Sequence, residues 1–245
     1  MFQVLFCIRD KHDLQFVLLA ALICIISCST AVMMLRQANA ASNQTKHRWL
    51  LAGGLATGFG IWSTHFVAML GYDPGVITGY KPALTGASLA IVLATTLIGF
   101  RVAVSGDKAI TTVIGGCVTG GGFAAMHYTG MAALSLPARI EWDPVYLSVS
   151  VALAVLPVIH VLRLVLLKRG IGKAALAAGL MVLGIVGLHF TGMTAIRLVP
   201  ARMEDGAVLL SPTTMSALIG TASILLLGLC LIGSNRKKDQ CSDSS

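Results

Sequence analysis

The chain has 245 residues, of which 56% are hydrophobic and 11% charged, and its mean hydropathy is +0.84; soluble domains carry about 25% charged residues. This composition excludes a water-soluble globular fold. The formal charge of +8 reads as membrane topology and not as a nucleic-acid surface.

A crossing of the hydrocarbon core takes about 20 apolar residues, and seven segments meet that need. The first, Leu14–Leu35, is free of charge. Ala38-Asn39-Ala40 behind it fits a signal-peptide cleavage site, but a signal peptide has an apolar region of only about 7–15 residues, so the segment is read as a retained span. Trp49–Tyr72 follows, then Pro82–Phe100, Ala109–Ala138, Val145–Leu167, Ala174–Ile196 and Pro212–Gly233. Only the fifth holds a charge, Arg163, in its last turns, where a long side chain snorkels to the headgroups. Lipid offers no partner to backbone N–H and C=O groups, so the spans are expected as helices. The expected fold is all-α and polytopic: seven transmembrane helices over residues 1–235, with a short cytoplasmic tail at 236–245.

Lys and Arg set the orientation. The N-terminus and the even-numbered loops carry Arg9, Lys11, Lys81, Arg139, Arg197 and Arg202. The other side carries twice as many: Arg36, Lys46, Arg48, Arg101, Lys108, Arg163, Lys168, Arg169, Lys173, Arg236, Lys237 and Lys238. The excess places the C-terminus in the cytoplasm and the N-terminus outside, in a cell inner membrane. Six cysteines without a CxxC pair imply no disulfide framework; Cys24 and Cys28 share a helix face and read as buried thiols.

Three segments align without gaps: GIWSTHFVAM from Gly60, GFAAMHYTGM from Gly122 and GIVGLHFTGM from Gly184, each offset from the last by 62 residues. In register stand His65, His127 and His189, then Phe66, Tyr128 and Phe190, then Met69, Met131 and Met193. Each unit is a motif-bearing helix followed by a plainer one. Pro82, Pro144 and Pro212 open the plain helices, at a turn whose N–H is unpaired anyway. Two spans per unit preserve direction, so the arrangement expected is three parallel two-helix repeats after an extra first helix, with equivalent residues at one depth in the outer leaflet.

His and Met at i and i+4 share a helix face, and the methionine leans back toward its histidine. If the three faces turn inward, His65, His127, His189, Met69, Met131 and Met193 converge as a metal site, the histidines ranking first. Imidazole suits several metals, whereas a thioether favours copper(I). Zinc normally takes Cys, His or carboxylate, and the motifs have neither Cys nor carboxylate; haem on a His/Met pair gives no reason for three copies. A lone His in a span is commonly a packed, hydrogen-bonded residue, but three in register point to a site. His12 and His47 lie in flanking segments and His160 sits in the fifth span without an i+4 Met, so these read as structural or solvated; Met126 has no Met counterpart in the other copies, which offer Thr64 and Leu188.

At MHYTGM, residues 126–131, the sequence resembles the MHYT domain, a bacterial integral membrane module; HFVAM and HFTGM resemble that family's variant copies, and the likeness covers roughly residues 10–235. The resemblance implies a sensory domain that binds copper and through it detects a diatomic gas such as oxygen, carbon monoxide or nitric oxide. It also implies a cytoplasmic output. Only Ser234–Ser245 follow the last span, which leaves a separate signalling partner, a longer parent chain or another task as alternatives. The first copy departs from the pattern with Thr64 and Val67.

The expected function is therefore a metal-dependent membrane sensor of a gas, of redox state or of the metal itself. The alternative is a copper handling protein for transport, storage or delivery. No acid, base or nucleophile stands beside the triad, so no enzyme is expected. The expected partners are the bilayer, a small diatomic ligand and a signalling protein, without nucleic acid.

Overall fold

The computed structural model describes residues 2–106, 108–167, 171–201, 209–221, 223, 224 and 228. A short helix α1 (Phe2–Asp10) leads into α2 (Leu14–Ala40), α3 (Asn43–Leu70), α4 (Pro82–Ala103), α5 (Lys108–Ala133), α6 (Pro144–Leu167) and α7 (Ile171–Thr194). Residues 212–221 are helical as well, and Met215 and Ile219 are buried in the common core. The remainder of the segment expected at Pro212–Gly233 lies largely outside the described residues, and the tail at 236–245 wholly so.

Among the described residues, five helices are long and apolar enough to cross a membrane: Leu14–Ala40, Pro82–Ala103, Ala109–Ala133, Pro144–Leu166 and Gly172–Thr194. The chain is thus a multi-pass, all-helical membrane protein. With 28 residues, α3 is as long as these but falls short of their hydropathy, because Gly, Ser, Thr and His fill its second half. Every residue from Gly60 to Met69 is buried. A helix wrapped in protein does not face lipid, and the demand for apolar side chains relaxes accordingly.

The helices pack in sequence order, α2 on α3 and so on to α7, and α7 closes back onto α2; α3, α5 and α7 also meet inside, α5 touching both of the others. Glycines let the backbones approach. On α5 a Cβ at Gly115 would stand 2.5 Å from Gly99 O of α4, and one at Gly120 would stand 2.6 Å from both Ala154 O and Val155 Cα of α6. Those obstacles are backbone and cannot step aside. Gly120→Val is therefore expected to destabilise the fold by at least about 1–3 kcal/mol. Thermal unfolding in detergent checks it, with Gly86→Ala as control, where nothing lies within 4 Å of the added atom.

The motif helices end earlier than the apolar pattern suggested: α3 at Leu70, α5 at Ala133 and α7 at Thr194. Pro137 explains the second case, since a proline drives the residue before it out of the helical region. The residues released form a belt. Strand β1 (Gly79–Tyr80) pairs with β2 (Leu134–Ser135), and β3 (Ala138–Trp142) pairs with β4 (Ile196–Pro200), both antiparallel. A bridge between Tyr80 and Leu210 returns to the first loop. The loops after α3, α5 and α7 thus form a closed cycle over the motif end of the bundle. Asp143 joins it to α6: its Oδ1 accepts from Val145 N–H at 3.0 Å, and its Oδ2 accepts from Arg197 at 2.9 Å.

Candidate metal centre

Each motif histidine sits in the last turns of its helix, on the face turned to the other two motif helices. His65, His127 and His189 are 4%, 1% and 7% exposed, and they are brought together as one group whose ligand atoms all lie within 4.8 Å of one another. The closest approaches run between Nδ1 atoms: His65 to His127 at 3.2 Å and His65 to His189 at 3.3 Å. The rings stand edge to face, with centroids 4.9 Å apart for His65 and His127 and 5.4 Å apart for each pair that includes His189.

This spacing fits a shared ion. A metal–imidazole bond of about 2.0–2.1 Å at tetrahedral angles separates two donor nitrogens by about 3.3–3.4 Å. The outward nitrogens are a separate matter, since an ion at Nδ1 leaves them as they are: Nε2 of all three histidines is buried without a hydrogen-bond partner, a condition rare in native proteins. Two glycines hold the rings in place. A Cβ at Gly130 would lie 2.6 Å from His65 Nε2, and one at Gly192 would lie 2.6 Å from His127 Nε2. Each imidazole thus rests on the position three residues beyond the histidine of the next repeat.

A cavity of about 80 Å³ opens beside the triad, lined by all three histidines, by Ile61, Thr64, Ala68, Met126, Ile185, Val186, Leu188 and Phe190, and by Val17, Ala20 and Ala21 of α2. It is nearly all apolar, and its volume is that of two or three water molecules at about 30 Å³ each.

The methionines divide differently from expectation. Met69, Met131 and Met193 are all buried, yet none borders this cavity, whereas Met126 does. Met131 lines a hollow with Tyr128, Leu134 and Trp142. Met193 lines another with Cys7, Tyr72 and Arg197. Met69 lies under the first loop, its carbonyl accepting from Tyr80 O–H at 3.1 Å. The Tyr128 hydroxyl is engaged by Ser150 of α6.

His12, read from sequence as a flanking residue, is 6% exposed and stands 5.8 Å from the His189 ring, centroid to centroid. The loop after α3 holds it there: Asp13 N–H donates to Gly71 O at 2.8 Å and Asp73 N–H to Lys11 O at 2.9 Å. Burial lowers the pKa of His12, an effect only partly offset by its bond to the Cys7 carbonyl, and burial pushes neighbouring Tyr72 up to about 12. Sequence carries no signal for this placement, which depends on a bridge between residues far apart in the chain. His47 and His160 are exposed, as expected.

Comparison with known proteins agrees with the triplication. The model of the MHYT family, described as a bacterial signalling protein N-terminal repeat, matches three times, at residues 58–116, 120–179 and 183–241. An uncharacterized signaling protein of Caulobacter vibrioides is 36% identical over 229 residues, 93% of this chain and 28% of its own length. The bifunctional diguanylate cyclase/cyclic di-GMP phosphodiesterase MucR of Pseudomonas aeruginosa is 34% identical over 76% of this chain and 28% of its own. The cyclic di-GMP phosphodiesterase NbdA of the same organism is 35% identical over 75% and 25%. The chain thus spans little more than a quarter of these relatives. No solved structure matches it. With its repeats matched over most of their length, the chain belongs to the MHYT family of bacterial signalling proteins.

Proposed function

We propose that the protein is a membrane sensor in which His65, His127 and His189 hold one copper ion through Nδ1 and present it to a small diatomic ligand in the adjoining cavity. The observation that carries this reading is the convergence of three buried histidines, two of their contacts running Nδ1 to Nδ1, beside an apolar space with room for a diatomic molecule. Copper(I), if held by these three imidazoles, would supply the binding of such a ligand. Soft donors nearby favour copper over zinc: Met126 borders the cavity, and Met69, Met131 and Met193 follow one turn beyond the histidines. Haem is too large for the space.

In the bilayer, α3 and the segment beginning at Pro212 cross as well, giving seven spans and three parallel two-helix repeats after α2. The excess of Lys and Arg on the opposite side puts the centre near the outer face of the inner membrane, with the N-terminus outside. Two relatives carry names of cyclic di-GMP enzymes, and the output proposed here is of that kind, reached through a longer parent chain or a separate partner.

Copper analysis of the purified protein, followed by infrared detection of carbon monoxide on the copper(I) form, tests the reading. One copper per chain and a single carbonyl band are expected. Ala20→Leu, which fills much of the cavity, is expected to keep the copper and weaken carbon monoxide binding more than about 10-fold, the effect of roughly 1.4 kcal/mol of steric exclusion. Metal-free protein that binds the gas unchanged overturns it. Copper handling is favoured by one observation, that Met193 and Cys7 line the same hollow at the motif end; copper uptake into sealed vesicles bearing the protein supports that second reading, and its absence supports sensing.

A further inference from the structure

The copper reading leaves one buried imidazole without a task. His12 lies outside the three repeats, and its Nδ1 is 2.9 Å from the carbonyl oxygen of Cys7. A carbonyl only accepts, so His12 Nδ1 carries the proton and His12 Nε2 keeps a lone pair. That Nε2 is buried with no partner, and so is Nε2 of His189, whose ring stands edge to face with it. Around His12 the other neighbouring rings are Tyr72 and Phe190, each 5.3 Å away by centroid, and Asp13 is engaged as the cap of α2, accepting from Gln15 N–H at 2.8 Å.

The proton positions then follow in order. His189 turns Nδ1 to the triad, 3.3 Å from His65 Nδ1. An imidazole that gives Nδ1 to a metal bears its proton on Nε2. His12 offers the matching acceptor, and a ligating histidine almost always donates its second N–H to such a group. We propose that His12 is the positioning residue of His189: in the loaded centre His12 Nε2 accepts the His189 Nε2–H, which fixes His189 as an Nδ1 ligand and ties α1 to the state of the triad. In the loaded centre the line would run from the Cys7 carbonyl through two imidazoles to the metal position; in the structure its first bond is formed, while the Nε2 atoms of His12 and His189 are both still without a partner. Among the described residues, His189 is the one ligand with a further imidazole beside it, the His12 ring at 5.8 Å, whereas Nε2 of His65 faces Gly130 and Nε2 of His127 faces Gly192.

The inference rests on the copper reading and is tested on the purified full chain by copper(I) competition against a chelator. His12→Phe keeps the ring packing but removes the acceptor. It is expected to weaken copper about 10–100-fold, as loss of outer hydrogen-bond partners does, while saturation still reaches the wild-type stoichiometry. His12→Gln supplies one donor for Cys7 and one acceptor for His189, and is expected to restore most of the loss. His160→Leu, at an exposed position, serves as control. Wild-type affinity in His12→Phe overturns the inference, as does equal weakness in His12→Phe and His12→Gln, which marks a merely structural role. If His12→Phe fails to elute as a single species, His12→Leu takes its place and is judged by the same two criteria. A wild type that takes up no copper defeats the underlying reading and the inference with it, an outcome distinct from the other two.

Discussion

Alanine in place of His65, His127 or His189 is expected to strip copper from the protein, and to the same degree in each case. The three Nδ1 atoms bound one volume, with separations of 3.2 and 3.3 Å, so each supplies a third of the same coordination sphere. Loss of an outer partner alone costs about 10–100-fold in metal affinity, and loss of a ligand exceeds that. The thermal signature is as telling. A metal present at about 1,000 times its dissociation constant stabilises the folded state by about 4 kcal/mol, and this copper-dependent increment vanishes in all three variants. The metal-free stability of each variant, lowered by the cavity that a buried imidazole leaves, is the baseline from which that increment is read. Methionine replacements form the contrast: Met69→Leu, Met131→Leu and Met193→Leu are each expected to weaken copper less than about 10-fold, below the range for outer partners of a ligand. A single histidine variant that retains full copper breaks the shared-site geometry.

The meeting of the three histidines was legible in the sequence because of the triplication. A constant offset of 62 residues fixes His65, His127 and His189 in register, and two helices per unit give the copies one direction, so their meeting follows from topology. Helices stand where hydropathy set the first six segments; of these α3, read as Trp49–Tyr72, alone falls short of the hydropathy of a membrane span, because its burial within the protein removes the lipid that hydropathy measures. What stayed hidden depends on contacts between distant segments. The belt of paired loops reads as helix when counted by apolar residues, because Leu134 and Leu136 are buried in either form, 7% and 5% exposed. His12 became part of the site only through its bridge to Tyr72. The i+4 rule placed each methionine on its histidine's face, but a rise of about 6 Å over four residues is enough to put Met131 and Met193 in hollows of their own. Met126, with no counterpart in the other copies, took the position on the cavity.

Gly130→Ala and Gly192→Ala are expected to cost nearly as much copper as the loss of a ligand, although neither residue bears a donor. A methyl group at either position would sit 2.6 Å from an imidazole nitrogen, while ordinary contact between such atoms needs about 3.5 Å or more. The ring must therefore retreat by nearly 1 Å, and coordination tolerates about 0.2 Å. His65 cannot retreat freely, for the edge of Phe66 lies 3.3 Å from the same point at Gly130; at Gly192 the Tyr128 hydroxyl lies 3.4 Å away. Copper affinity is expected to fall at least about 100-fold, whereas helix propensity alone, worth up to about 1 kcal/mol in favour of alanine, pulls stability the other way. That opposition separates the site from the scaffold: a variant that unfolds no sooner yet releases its copper has lost geometry and nothing else. Gly121→Ala, one helix position from Gly122 and with nothing within 4 Å of the added atom, is expected to keep its copper. In the first repeat the corresponding position is Ala68, which borders the cavity together with His189, and His189 is the ring that stands 5.4 Å from both of its partners where the glycine-backed pair stands 4.9 Å apart. Ala68→Gly is accordingly expected to tighten the centre, and copper binding by Gly192→Ala at wild-type strength excludes the whole account of how the rings are held.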